Sequence, residues 1–242
     1  MGQISFRESL LAAQQGANQN GNAEYFVITT PNGIVARAQN QLLFDTETFI
    51  SGTTTGLTFF QNASVDGSGV LSKRPGIDTS MTQNGILPNG YLKQLTGVSV
   101  FMTPITGTGT AAYGTGTGTT LLTNTSWQNL LNRAELTLTL SSTVFFRGQL
   151  NSIPSTIGHH NNVATQAAST LVNTHYVGSG FSDNPWPIYG KNGGPIPISP
   201  QQNFKVEINW VGAVTLTDSV PDADPRVLIT VSLHGPLYIP AQ

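Results

Sequence analysis

The chain has 242 residues and a formal net charge of −2, and only 9% of its residues are charged, 10 Lys and Arg against 12 Asp and Glu, where an ordinary globular domain carries roughly a quarter. That charge, with Lys and Arg scattered along the chain, gives no electrostatic case for a grip on nucleic acid, and the lack of cysteine excludes disulfides, thiolate metal sites and cysteine nucleophiles. No run approaches the roughly 18 apolar residues of a membrane-spanning helix, and Met1–Gln15, with one Arg, one Glu and no long apolar core, is not expected to direct secretion.

Ser5-Phe6-Arg7-Glu8 fits a capping box, with the Ser hydroxyl and the Glu carboxylate satisfying free amides at a helix start. Phe6, Leu10 and Ala13 follow at helical spacing, Leu11 lies beside them, and Gly16 offers a stop. A helix of about ten residues is marginal alone in water, so it must dock on its own domain or on a neighbour. Ile4, Phe6, Leu10 and Leu11 are its candidate assembly residues, and Gln15–Asn22 reads as a tether.

Beyond the tether the apolar period changes to two, the mark of half-buried strands. Candidate strands run over Tyr25–Thr30, Ile34–Ala38, Leu42–Ile50, Leu57–Gln61, Val98–Thr103, Ala134–Leu140, Val144–Leu150, Phe204–Trp210 and Val227–Leu233. Pro31-Asn32-Gly33, Asn84-Gly85 and Asn89-Gly90 supply turns. Short helices are expected over Trp127–Arg133 and over Asn162–Asn173, where Val163, Ala167 and Leu171 recur at spacings of four. The Gly-Thr repeats between Thr106 and Thr119 cannot pack a core and read as a loop or linker. Ser179–Gln202, rich in Pro and Gly but holding Trp186 and Tyr189, reads as an ordered, packed loop.

Catalytic templates come up short. Gly107 to Ala112 touches the dinucleotide fingerprint, but no helix follows and the acidic ribose ligand is missing. There is no Gly-x-Ser-x-Gly elbow. His159, His160, His175 and His234 lack the helical spacing of zinc proteases. Asp218, Asp222 and Asp224 are the candidate calcium ligands, although the Gly and distal Glu of a calcium loop are absent and Arg226 partly neutralises the turn. No catalytic residue and no cofactor are expected.

A mixed-charge surface helps monomers stay apart in solution. A chain that gives it up, with no charged residue from Gln94 to Asn132 or from Gly148 to Ser182, is expected to pack against copies of itself.

Leu130-Leu131-Asn132-Arg133-Ala134-Glu135-Leu136-Thr137-Leu138, then Val144-Phe145-Phe146-Arg147-Gly148-Gln149-Leu150 with Ile153-Pro154, look like a strand–turn–strand unit opening a second barrel. Val227–Leu233 and the tail Pro236–Pro240 are similar in style to a barrel's last strand. In organisation the chain resembles the double jelly-roll major capsid proteins of tailless, icosahedral, membrane-containing bacteriophages. The resemblance implies an all-β fold of two tandem jelly-roll β-barrels. The arm would be residues 1–20, the first barrel 21–112, a linker 113–124 and the second barrel 125–242.

Sixteen strands of about five to six residues would use about 80–96 residues, so two barrels are feasible. One jelly roll with long insertions suits the same strands. The resemblance further implies a homotrimer forming pseudo-hexameric capsomers that tile an icosahedral virion, assembled in the host cytoplasm. Its partners would be its own copies, other virion proteins such as penton or minor capsid proteins, and peripherally an internal membrane, with no specific nucleic acid. Two other readings stand beside it. One is a virion spike, fibre or glycan-binding β-sandwich using Trp127, Trp186 and Trp210; the other is a barrel enzyme with histidine metal ligands.

Overall fold

The computed structural model describes residues 26–29, 35–39, 41–61, 73, 77–106, 124–153, 160–163, 173–176, 185–190, 193–217 and 225–240. The N-terminal helix and tether, the Gly-Thr repeats after Thr106 and the Asp218, Asp222 and Asp224 turn lie outside them.

The regular structure of the described residues is mostly antiparallel β-sheet. Its strands are β1 (Phe26–Thr29), β2 (Val35–Gln39), β3 (Leu43–Ile50), β4 (Gly56–Phe59), β5 (Leu92–Leu95), β6 (Gly97–Thr106), β7 (Ala134–Leu140) and β8 (Thr143–Gln149). They continue as β9 (His160–Val163), β10 (Asn173–Tyr176), β11 (Trp186–Pro187), β12 (Ile196–Ile198), β13 (Phe204–Trp210), β14 (Pro225–His234) and β15 (Leu237–Pro240). One helix, α1 (Asn124–Asn132), precedes β7. It begins three residues before the expected Trp127, because Ser126 in its first turn is tied to Thr217 by two hydrogen bonds.

Alternation predicts most strands to within a residue or two. Of the helix expected over Asn162–Asn173, only Asn162, Val163 and Asn173 are described; they lie in β9 and β10, which pair antiparallel with Val163 opposite Asn173, and Ala167 and Leu171 lie outside the described residues.

Two four-stranded sheets carry the core, in the orders β3-β14-β6-β11 and β4-β13-β7-β8. Strands from before and after residues 113–124 are interleaved in both, as where β14 lies between β3 and β6, and β13 between β4 and β7. Two tandem barrels would keep the strands of 21–112 and 125–242 apart. Val227, Ile229, Val231 and Leu233 of β14 and Val98, Val100 and Met102 of β6 are buried facing Ala134, Leu136, Leu138 and Leu140 of β7 and Phe204, Val206, Ile208 and Trp210 of β13. Phe49 meets Trp210 across the gap, ring centroids 4.8 Å apart.

A five-stranded sheet, β1-β2-β15-β5-β12, repeats the first order with the strands next along the chain. β2 runs on to β3, β5 to β6 and β14 to β15 with breaks of only a few residues. Backbone bonds Thr96 N–H to His234 O and Gln94 N–H to Pro236 O carry the ladder through the break, so the sheet is bent rather than cut. Gly235 makes the bend, with φ +121; a Cβ there would lie 1.9 Å from Gln94 O. Only glycine fits that position.

Candidate functional site

Three places concentrate polar chemistry. The first lies inside the sandwich. Alternation along β3 puts Leu43, Asp45, Glu47 and Phe49 on one face, and Leu43 and Phe49 are buried in the core, so Asp45 and Glu47 point inward between them. Lys73 meets both. Its Nζ lies 2.6 Å from Asp45 Oδ2 and 2.5 Å from Glu47 Oε1, with side-chain exposures of 4% for Lys73, 0% for Asp45 and 16% for Glu47.

The Phe60 amide also donates to Asp45 Oδ2, at 2.5 Å. This bond helps hold Phe60 at φ +69, a left-handed conformation that costs a β-carbon residue about 1 kcal/mol or more. Its carbonyl accepts from Gly85 N–H, and its ring packs on Phe204, centroids 5.5 Å apart. Residues 78–80 close the far edge of β3 through Thr46 N–H to Asp78 O and Ser80 N–H to Phe44 O. Burial pushes the Asp45 carboxyl above the usual range, against the pull of Lys73, the Phe60 amide and Thr79.

The second place is the bend. Lys93 of β5 is fully buried, and its Nζ donates to the carbonyls of Gln41 at 2.7 Å and Gly235 at 2.5 Å, knitting the break between β2 and β3 to that between β14 and β15. Burial lowers its pKa to about 7. His234 Nε2 is 2.7 Å from Ser99 Oγ, and burial, then the charge of Lys93, lowers the imidazole pKa.

The third is the outer face of the β4-β13-β7-β8 sheet. Here Lys205 pairs with Glu207 at 2.8 Å, and Arg147, 70% exposed, with Glu135 at 2.7 Å. The edge strand β8 adds apolar surface: Val144 is 54% and Phe145 41% exposed, beside a register shift against β7.

Among the residues singled out from sequence, Ile4, Phe6, Leu10, Leu11, Asp218, Asp222, Asp224 and His159 lie outside the described residues. His160 and His175 fall on the β9–β10 pair and His234 at the bend. Among the described residues no group of three or more His, Asp or Glu is placed to hold a metal ion, and no helix is long and apolar enough to cross a membrane. Trp127 and Trp210 are in the core, Trp210 Nε1–H donating to Leu130 O, and Trp186 packs half-buried opposite Val98; the three do not form a sugar-stacking face. The Asp45, Glu47 and Lys73 cluster was not foreseen. Its one sequence signal is two carboxylates on the same face of a strand as Leu43 and Phe49.

Comparison with protein-family models, curated proteins and solved structures finds no match.

Proposed function

We propose that this chain is the structural subunit of a virion shell, built on one jelly roll with insertions and extensions. The observation that carries the reading is the strand order. Taking β3, β4, β6, β7, β8, β11, β13 and β14 as first to eighth, the two sheets read 1-8-3-6 and 2-7-4-5. That is the double-Greek-key order of a jelly roll, a fold of capsid and lectin domains. β2, β5 and β15 prolong three of its strands, and the β9–β10 pair is an insertion between the fifth and sixth.

Composition argues for the shell role over a solitary binding domain. With 9% charge, lateral contacts bury few ions that would need partners. The exposed Val144 and Phe145 on β8 favour a contact there, since a free strand edge with apolar side chains is a ready surface for association. The reading makes copies of the chain its main partner, with penton or minor capsid proteins beside it. With one barrel per chain, a hexagonal tile takes six barrels from six copies, where the double-barrel resemblance takes three.

Sizing and electron microscopy of the purified protein test the reading. Closed oligomers or lattice pieces are expected. A chain that stays monomeric at high concentration and forms nothing regular overturns it. Replacing Val144 and Phe145 together by Glu is expected to weaken assembly by roughly tenfold or more while leaving the unfolding temperature of the subunit in place.

A further inference from the structure

We propose that Lys73 and Asp45 become joined by an intramolecular amide bond, with Glu47 as the catalytic proton acceptor. The inference rests on the buried cluster and is independent of the assembly reading. Three features of the site supply what the reaction requires.

The first is proximity. Nζ of Lys73 is held 2.6 Å from Asp45 Oδ2, placing the amine against the carboxyl group it would attack. Such fixed juxtaposition replaces an intermolecular encounter and corresponds to a very high effective concentration. The second is a base: Glu47 Oε1, 2.5 Å from the same Nζ, can take a proton from the ammonium. The third is dryness. Asp45 is fully buried between Leu43 and Phe49 on β3, and condensation turns the Lys73 ammonium and the Glu47 carboxylate beside it into neutral groups, removing a costly buried charge pair.

The step balances with Asp45 as the neutral acid, the form its burial favours. Glu47 takes one proton from the Lys73 ammonium, and the freed lone pair adds to Asp45 Cγ. The tetrahedral intermediate passes a proton from nitrogen to its hydroxyl, which leaves as water as the Cγ–Nζ amide forms. Glu47 ends protonated, so charge is conserved and no oxidant or co-reactant is needed. The Phe60 amide, donating to Asp45 Oδ2, polarises the carboxyl towards attack and stabilises the oxyanion.

The bond would tie β3 to a residue 28 positions along the chain. In a chain with no cysteine it would supply the covalent brace that disulfides give other proteins, restricting the unfolded chain by loop closure.

Intact-mass measurement of the purified, folded protein, followed by peptide mapping, tests this. The expected result is a mass below that of the sequence by one water, about 18 Da, with a branched peptide joining Lys73 to Asp45. Mapping is essential because an aspartyl succinimide loses the same mass. Lys73→Arg and Glu47→Gln, which keep the size of the site, are expected to show the full mass. Their unfolding temperatures should fall by about 10 °C as the brace is lost. Asp45→Asn would still condense, now releasing ammonia, about 17 Da. Folded wild-type protein at full mass, or a water loss mapped elsewhere than Lys73 and Asp45, overturns the proposal.

Discussion

The two principal sheets handle ionised side chains in opposite ways. On β7, β8 and β13 the charges of Glu135, Arg147, Lys205 and Glu207 sit on the outer face as pairs, while the inner positions are apolar and buried. On the β3 side and its bent continuation, Asp45, Lys73 and Lys93 are almost wholly enclosed. Exposed pairs contribute little because water and salt screen them. Enclosed charges are held by their partners, and removing one partner strands the other. The same residue types are therefore nearly silent on one sheet and decisive on the other.

Removing the cation from the enclosed cluster should break this contrast most strongly. Lys73→Met takes away the one group that meets both Asp45 and Glu47, as ammonium before condensation and as the amide after it, and is expected to cost ~3–5 kcal/mol, measured by denaturant unfolding. Gly235→Ala attacks the bend instead. Its Cβ would collide with Gln94 O at a φ that disfavours side chains, for a loss on the order of 3 kcal/mol in the same assay.

Lys93 sharpens the contrast through pH. Its folded pKa, about 7, lies below the ordinary value of 10.5, so the unfolded chain binds more protons between those values and stability rises with pH across that window. His234, also lowered by burial, has the same sign at lower pH: protonation on acidification favours the unfolded chain. Melting temperature is expected to climb from pH 6 to pH 9, and Lys93→Met to flatten the climb. The smallest effect belongs to the outer face. Arg147→Ala should change stability by no more than about 0.5 kcal/mol, with little dependence on salt.

The same contrast explains how much could be read from sequence. Phe204–Trp210 and Ala134–Leu140 are legible to the residue because each has one wet face and one dry one, so apolar and polar residues alternate without exception. Leu42–Ile50 is legible as a strand, but Asp45 and Glu47 look like water-facing residues until tertiary contact brings Lys73 to them from 28 positions away. β5, β11 and β12 are too short to show a period, and two of them contain proline. Their identity comes from the neighbours they extend or pair with. The interleaving of the sheets could not be seen either, since alternation fixes which face of a strand is buried and not which strand lies beside it.

The central positions of β13 and β14 bear on the order of folding. Each principal sheet takes a middle strand from a segment that comes after its neighbours in sequence, β13 between β4 and β7 and β14 between β3 and β6, so neither sheet is continuous until that later segment docks. The pairing of such distant segments makes the closing step slow. Copies of the chain therefore have no finished flank to offer one another before both strands are in place.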